Sequence, residues 1–392
     1  MKTFIALLFT ILITFFQQQD FAQPVSTKIN VGESFTVHSN ILKEDRTILV
    51  YLPDGYAESN ETYPVLYLTD GETHFIQTGG TVSFLSSAGI GYMPKLIIVG
   101  ITNTNRARDL TPAPIHGKDS QFPDGGGAEN FLKFITAELK PIINSRYRTS
   151  AFEILAGTSL GGLFTINTFI NHPQSFNAFF AVSPALWWDK RAVVVKADSV
   201  LQKPITKNQF LYFTLCSGDS KELSESTQQF QTILERRTQD SLRWQTSFIK
   251  DETHNSSPLP GYYAACKFLY AKWHIDSINN LNDLEDHYAA LSQQYGYKIE
   301  VPEGEMNSLG YQLLFGGKAE EAIPVFKKNI ENFPSDPNVY DSMGDAYKVA
   351  GKLDLAKINY TKGCELGKKQ NSVNASSYCN NLNELIKLMN KK

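Results

Sequence analysis

The chain lacks a strong charge of either sign. Its 392 residues include 37 lysines and arginines and 40 aspartates and glutamates, which leaves a formal net charge of −3 at pH 7. A chain this close to neutral, with no basic stripe, has no electrostatic basis for binding nucleic acid. Apolar residues make up 42% and charged residues 20%. These shares are ordinary for a globular protein and exclude disorder throughout the chain.

Cysteine is also scarce, and its spacing matches no metal site. The chain contains neither a CxxC pair nor a cysteine–histidine spacing typical of zinc, so the sequence predicts no metal centre. In an exported chain, Cys364 and Cys379 are the pair first expected to form a disulfide. Cys216 ends an apolar run and is expected to be buried. The fourth cysteine is Cys266.

No apolar stretch is long enough to span a bilayer, but a shorter one lies near the N-terminus. The run from Phe4 to Phe16 follows Lys2, and Ala22 is a small residue suited to cleavage before Gln23. This pattern predicts a signal peptide over residues 1–22 and export to the periplasm or the cell exterior. An uncleaved N-terminal anchor is the alternative interpretation.

Short β-rich runs alternate with helical patterns between about Ser34 and Val301. Several of the runs are apolar on both faces, which is typical of strands covered by helices on both sides. The alternation predicts an α/β fold with a mostly parallel sheet and right-handed crossovers. The predicted strands are residues 47–52, 65–68, 96–101, 152–156, 178–182, 210–215 and 244–250, and the predicted helices are residues 128–143, 160–171 and 224–239.

The strand pattern ends near Asn307, where a repeat with an offset of 34 residues begins. This period is that of tetratricopeptide repeats, in which small residues let two helices approach and an aromatic ring fills the gap. We therefore predict an α/β domain over residues 23–283 and an all-helical region over 284–392. The repeats, at about 307–370, are a candidate site for a protein partner. The matching pairs are Gly310 and Gly344, Gly317 and Gly351, Lys318 and Lys352, Ala322 and Ala356, and Phe326 and Tyr360.

One pentad indicates nucleophilic chemistry. Gly157-Thr158-Ser159-Leu160-Gly161 fits G-x-S-x-G and lies between a predicted strand and a predicted helix, the context of the nucleophile in α/β hydrolases. The glycines permit the strained turn that lifts the serine hydroxyl clear of the sheet. The helix N-terminus favours a developing oxyanion. Ser159 is therefore the predicted nucleophile, with an ordinary glycine-rich turn as the alternative.

A serine nucleophile needs a base, and in this fold the acid and then the histidine follow the serine. His254 follows the predicted strand 244–250 directly, where the base of this topology belongs, although a structural histidine is the alternative. The acid is expected after strand 210–215, and both Asp219 and Glu222 lie there. Asp219 is favoured because Glu222 falls in the first turn of the next helix. The other histidines after Ser159 are His172, His274 and His287.

With these motifs in place, the chain resembles the esterase family of α/β hydrolases that includes ferric-enterochelin esterases, S-formylglutathione hydrolase, and feruloyl and acetyl-xylan esterases. The resemblance implies Ser159 as nucleophile and His254 as base. It also implies an oxyanion hole made by the backbone N–H of Leu160 with that of Gly71 or Glu72. The matching segments, within about Ser34 to Ala271, are residues 63–71, 106–112, 157–162 and 183–188, and His254 ahead of Gly261-Tyr262.

The resemblance further implies residues of a substrate cleft. Arg106, Arg108 and Asp109 are candidates for its wall, although a buried ion pair is an equal interpretation of that loop. Trp187 and Trp188 either line a pocket or simply pack in the core.

The expected activity is hydrolysis of a siderophore ester, an acylated polysaccharide or a small ester, with no cofactor. Two alternatives stay open at this point. One is an acyltransferase that uses the same three side chains. The other is a non-catalytic binding protein that acts through its repeats.

Overall fold

The structure is a computed structural model that describes residues 30–57, 60–87, 89–203, 208–237, 242–275 and 278–391. The predicted signal peptide over residues 1–22 lies outside the described residues. Within the described ranges, no helix is both long and apolar enough to cross a membrane.

The described residues form one sheet of eight strands in the order β1-β2-β4-β3-β5-β6-β7-β8. The pairings of β1 with β2 and of β2 with β4 are antiparallel, and the other five are parallel, so the mostly parallel sheet is confirmed. The strands are β1 (Glu33–Ser39), β2 (Glu44–Tyr51), β3 (Tyr63–Leu68), β4 (Ile97–Ile101), β5 (Thr149–Thr158), β6 (Ala178–Val182), β7 (Gln209–Gly218) and β8 (Leu242–Thr253).

Helices cover both faces of this sheet, as the two-sided apolar runs indicate. Every residue of β3 is buried. Its side chains alternate between two hydrophobic clusters, with Val65 and Tyr67 in one and Leu66 and Leu68 in the other. Successive residues of a strand point to opposite faces, so each cluster lies on its own side of the sheet.

The helices associated with the sheet are α1 (Gly71–Leu85), α2 (Arg106–Leu110), α3 (Ala128–Phe134), α4 (Lys140–Arg146), α5 (Leu160–Asn171), α6 (Trp188–Val200), α7 (Lys221–Arg237) and α8 (Pro258–Leu269). A π-helical turn, Ile135–Leu139, joins α3 to α4, so the helix predicted over 128–143 exists with a widened turn in its middle. The helix predicted over 160–171 has the predicted bounds.

The chain after the sheet is entirely helical where it is described, which confirms the predicted all-α region. It contains α9 (Leu281–Tyr295), α10 (Glu303–Phe315), α11 (Ala319–Asn332), α12 (Pro337–Val349), α13 (Leu353–Lys369) and α14 (Ala375–Met389). A Cβ on Gly310 would lie 2.4 Å from the ring of Phe326, and one on Gly344 would lie 2.5 Å from the ring of Tyr360. At both repeat positions, therefore, a glycine lets an aromatic ring of the following helix approach. The assignment to tetratricopeptide repeats stays a prediction.

The C-terminal helices share an apolar core with the sheet. The cluster that contains Phe152 and Phe210 of the sheet also contains Tyr295 of α9 and Met306 of α10. The rings of Phe152 and Tyr295 lie 5.3 Å apart between centroids, and those of Phe210 and Tyr295 lie 5.7 Å apart. The hydroxyl of Tyr295 donates to the carbonyl of Leu269 at 2.9 Å. The boundary placed between residues 283 and 284 stays a prediction.

The cysteines behave as predicted. Cys364 of α13 and Cys379 of α14 form a disulfide, which confirms that pair. Cys216 and Cys266 are free and buried.

Candidate active site

The predicted nucleophile lies in a strained turn between β5 and α5. Ser159 has φ 58° and ψ −114°, a conformation that non-glycine residues rarely adopt and that is concentrated at functional sites. A Cβ on Gly157 would lie 2.3 Å from the carbonyl oxygen of Gly161, and one on Gly161 would lie 2.3 Å from Oγ1 of Thr69. Both glycines of the pentad are therefore required by close approach, as in the nucleophile turn of α/β hydrolases.

His254 and Asp219 meet at the carboxyl edge of the sheet. Asp219 follows β7 and His254 follows β8, and these two strands are parallel neighbours. Nδ1 of His254 and Oδ1 of Asp219 are 2.7 Å apart. Gly218 makes this approach possible, because a Cβ there would lie 2.6 Å from Cα of Thr253 and 3.0 Å from the backbone nitrogen of His254.

The surroundings of Asp219 favour its ionised form. Its side chain is 0% exposed, whereas that of His254 is 31% exposed. The second carboxylate oxygen accepts hydrogen bonds from the hydroxyl of Ser183 at 2.9 Å and the N–H of Cys216 at 2.8 Å. Burial alone would raise the pKa of Asp219, but the hydrogen bonds from His254, Cys216 and Ser183 hold it below its usual value.

Glu222, the alternative acid, is exposed in the first turn of α7. The structure thus brings Asp219, and not Glu222, to His254. Of the other histidines, His172 contacts Glu129 and His287 contacts the carbonyl of Trp273. Asp219, the acid favoured from the sequence, is thus the one that contacts His254. The catalytic roles of Asp219 and His254 stay predictions.

The predicted oxyanion donors lie at two helix N-termini on this same edge. Leu160 begins α5, and Gly71 and Glu72 begin α1, so their N–H groups have no partner within their own helices. Because β3 and β5 are parallel neighbours, α1 and α5 start side by side. Asp70, just before α1, has φ 54° and ψ 41°, which turns the chain sharply out of the strand.

Arg106 is half-buried beside this turn. Its Nε lies 2.6 Å from Oδ1 of Asp70, and its Nη2 lies 2.9 Å from Oδ2 and 3.3 Å from the carbonyl oxygen of Thr158. Burial acts to lower the pKa of Arg106, but the hydrogen bonds and charge of Asp70 raise it. Asp70 lies in a segment that carries the family resemblance, but no sequence pattern indicated its partner.

Arg108 and Asp109 form part of a buried ion-pair network. Asp109 is 1% exposed and is bound by Arg46, whose side chain is fully buried. Nε of Arg108 lies 2.7 Å from Asp109, and its Nη2 lies 2.7 Å from Glu44. This placement favours the ion-pair interpretation of the loop, because both carboxylate oxygens of Asp109 face arginines rather than open space. A role of Arg108 and Asp109 in the cleft stays a prediction.

The two tryptophans differ. Trp188 is 1% exposed, and its Nε1 donates to the carbonyl of Pro112 at 3.2 Å, so it serves packing. Trp187 is partly exposed, and its ring centroid lies 6.2 Å from that of Phe122. Trp187 is therefore less completely packed than Trp188, and its place in a substrate cleft stays a prediction.

Nothing in the described ranges resembles a metal centre. No group of three or more His, Cys, Asp or Glu side chains there is arranged to hold a metal ion.

A family model described as "Putative esterase" matches residues 39–261 of this chain, a span that includes Ser159, Asp219 and His254. The chain belongs to this esterase family. The match begins within β1 and ends within α8, so it covers nearly the whole sheet and the predicted site.

Curated relatives with named activities are similar to this esterase. It is 30% identical over 180 residues to the ferri-bacillibactin esterase BesA of Bacillus subtilis, an overlap of 42% of this chain and 62% of the relative. It is 33% identical over 168 residues to a siderophore enterobactin esterase of Emericella nidulans, an overlap of 38% of this chain and 49% of the relative. The chain thus spans about half to three-fifths of the length of these two relatives.

A solved structure shows that the similarity extends to the three-dimensional fold. The IroE-like serine hydrolase from Shewanella oneidensis superposes with a TM-score of 0.70 at 29% identity, covering 77% of this chain and 99% of that one. An uncharacterised protein from Capnocytophaga ochracea covers 90% of this chain with a TM-score of 0.62 at 17% identity, which supports the fold alone. These neighbours are consistent with an α/β-hydrolase sheet followed by helices.

Proposed function

We propose that the chain is a serine esterase that hydrolyses carboxylic esters through an acyl-enzyme. Oγ of Ser159 attacks the ester carbonyl while Nε2 of His254 takes the hydroxyl proton. The N–H groups of Leu160 and of Gly71 or Glu72 stabilise the oxyanion. His254 then protonates the leaving alcohol. In the second half-reaction His254 takes a proton from the water that attacks the acyl carbon. It then returns that proton to Oγ as the acyl–oxygen bond breaks, which releases the acid and free Ser159.

The observation that carries this proposal is the 2.7 Å contact between His254 Nδ1 and Asp219 Oδ1 on the sheet edge where the strained Ser159 turn lies. A carboxylate at Nδ1 holds the proton on that nitrogen and leaves Nε2 free to act as the base. The hydrogen bonds from Ser183 and Cys216 fix the carboxylate that holds the ring. A binding protein has no need of this arrangement.

We propose siderophore esters as the substrate class, ahead of acylated polysaccharides and small esters. Two relatives of this chain are named for ferri-bacillibactin and enterobactin. The partly exposed Trp187 and Phe122 rings supply an aromatic surface, which suits a ligand with flat rings.

We also propose that the enzyme acts after export. The disulfide between Cys364 and Cys379 supports an oxidising compartment, because such bonds are rare in the cytosol. The apolar run that ends at Phe16 supports the same conclusion, and N-terminal sequencing of secreted or periplasmic protein is expected to return Gln23 rather than Met1. The C-terminal repeats stay a candidate site for a protein partner.

A serine-reactive phosphonate, followed by a panel of aryl, feruloyl, acetyl-sugar and siderophore esters, tests the proposal. The label is expected on Ser159 and absent from Ser159→Ala, and kcat/KM is expected to be highest for a siderophore ester. Labelling elsewhere would contradict the mechanism. A higher kcat/KM for acetyl-sugars would contradict the substrate class alone. Transfer of the acyl group to an added alcohol in preference to water would identify an acyltransferase.

A further inference from the structure

The guanidinium of Arg106 connects two backbone segments that have to stay close together for the proposed reaction. We call residues 70–72 the oxyanion loop and residues 157–161 the nucleophile turn. Arg106 lies on α2, which belongs to neither segment. Its Nε and Nη2 bind both carboxylate oxygens of Asp70 in the oxyanion loop, at 2.6 and 2.9 Å. The same Nη2 approaches the carbonyl oxygen of Thr158 in the nucleophile turn, at 3.3 Å.

The oxyanion loop depends on Asp70 for its shape. The side chain of Asp70 is 5% exposed, and its backbone has a positive φ of 54°. Besides Arg106, the carboxylate accepts a hydrogen bond from Nδ2 of Asn103 at 2.7 Å. A paired, buried carboxylate directly before Gly71 therefore fixes where the first N–H groups of α1 point.

The nucleophile turn is also bound by a tyrosine. Oγ1 of Thr158 and the hydroxyl of Tyr262 are 2.9 Å apart, and Tyr262 is buried. Thr158 directly precedes Ser159. Its carbonyl is bound by Arg106, and its hydroxyl is bound by Tyr262. Two independent side chains thus fix the residue next to the proposed nucleophile.

We infer that Arg106 is a positioning residue that sets the distance between the oxyanion loop and Ser159 by binding Asp70 and the Thr158 carbonyl together. The inference rests on the function proposed above. Oxyanion donors act only within about 2.7–3.1 Å of the developing charge. A displacement of about 1 Å can cost roughly 100-fold in rate, so a rigid connection between the two segments has a direct effect on turnover.

Direct contact of Arg106 with substrate is the competing role, since 40% of its side chain is exposed. The two roles differ in what they change. A substrate contact affects KM, and more for a large ester than for a small neutral one. A positioning residue affects kcat for every ester alike, and also the rate at which a neutral phosphonate reacts with Ser159.

The experiment compares Arg106→Lys and Asp70→Asn, singly and together, in the full chain. Lysine keeps the charge but cannot bind two carboxylate oxygens and a carbonyl in one plane. We expect kcat for a small aryl ester and the phosphonylation rate to fall about 10- to 100-fold, with KM changed less than about threefold. The double variant is expected to be no worse than the poorer single variant, since the two residues act as one unit.

The matched control is Arg237→Lys, which alters another arginine–aspartate pair. Nε of Arg237 binds Asp198 at 3.0 Å between α7 and α6, outside the candidate site, and this variant is expected to keep the wild-type rates. Each rate is divided by the number of sites that the phosphonate titrates at completion, so partial unfolding does not imitate a loss of rate.

Three outcomes would overturn the inference. Unchanged kcat and phosphonylation rates with a raised KM would make Arg106 a substrate contact. Unchanged rates with a lowered melting temperature would leave it a purely structural ion pair. Additive losses in the double variant would separate Arg106 from Asp70. A wild-type chain that the phosphonate does not label at all would instead contradict the proposed function.

Discussion

The sheet region and the C-terminal helices bury carboxylates in different ways. In the sheet region, the buried Asp70 and Asp219 side chains each meet a group that carries or can take up positive charge, Arg106 and His254 respectively. In the helices, Asp341 accepts both of its hydrogen bonds from the neutral amide of Asn381, at 2.9 and 3.1 Å. Its neighbour Asp345 accepts hydrogen bonds from two tyrosine hydroxyls.

This difference in hydrogen-bond partners affects the pKa values of the carboxylates in each region. Burial acts to raise the pKa of Glu44 in the sheet region, but hydrogen bonds from Arg108 and Thr104 lower it to about 2. At Asp341 burial is opposed mainly by the Asn381 amide, and its pKa rises to about 6. At Glu44 the arginines and Thr104 thus outweigh the effect of partial burial, whereas at Asp341 the Asn381 amide does not compensate it. The region with the fixed charges is the one that holds the proposed active site.

The largest expected effect is a loss of activity on replacing a serine in the sheet region but not one in the helices. Ser159→Ala is expected to fold and to lose about 10⁶-fold in kcat, because the covalent route disappears. Ser342→Ala, which removes a buried hydroxyl in the helices, is the matched control and is expected to keep the wild-type rate. Steady-state kinetics with an aryl ester measure both. More than about a tenth of the wild-type rate in Ser159→Ala would mean that this serine is not the nucleophile.

The next effect tests the charged pair at the sheet edge. Asp219→Asn is expected to lower turnover by roughly 10⁴ while KM stays nearly constant, because the amide favours the wrong tautomer of His254. Glu222→Gln, three residues along and exposed, is the control and is expected to be nearly neutral. Kinetics at one pH decide the assignment. A severe defect only in the Glu222 variant would reverse it, and mild defects in both would indicate a Ser–His pair.

A third prediction asks whether the two regions unfold together. Tyr295→Ala removes a buried ring of α9 that packs on Phe152 and Phe210 of the sheet. It is expected to lower the free energy of unfolding by about 3–5 kcal/mol, with sheet and helices melting in one transition. Val373→Ala, at an exposed position, is expected to change little. Two separate transitions in calorimetry would show that the helices form an independent domain.

The smallest effect is a pH dependence of opposite sign in the two regions. The folded-state pKa of Asp341, about 6, lies above its usual 3.8. Wild-type stability therefore gains a contribution as pH falls through 6 towards 3.8, and Asp341→Asn lacks that gain. The folded-state pKa of Glu44, about 2, lies below its usual 4.5. The contribution of ionised Glu44 to stability is present above about pH 4.5 and is lost as pH falls towards 2. The Glu44→Gln variant is expected not to show this loss.

Denaturant unfolding across this pH range measures both contributions. Parallel pH curves for wild type and Asp341→Asn would show that burial does not raise the pKa of that carboxyl.

Local patterns were sufficient for much of the fold. The apolar runs of β3, β4 and β6 predicted buried strands because only a doubly covered sheet hides both faces. They were not sufficient for α1. That helix contains Gly79, Gly80 and three threonines, all weak helix formers. It exists because packing on the sheet buries Phe75, Val82 and Leu85, an effect that no local pattern records.

The sequence alone indicated the nucleophile turn and the 34-residue repeat. The turn depends on glycines that are close together in the chain, and the repeat appears as matching residues 34 positions apart. The sequence also narrowed the acid to Asp219 or Glu222. Only the tertiary structure brings Asp219, rather than Glu222, to His254, since β7 and β8 have to pair in register, across Gly218, before His254 can reach a carboxylate 35 residues away in the chain. The role of Asp219 as the acid stays a prediction. The connection of Arg106 to Asp70 and Thr158 was likewise decided in three dimensions. Its donors and acceptors come from three segments that meet only when β5 pairs with β3.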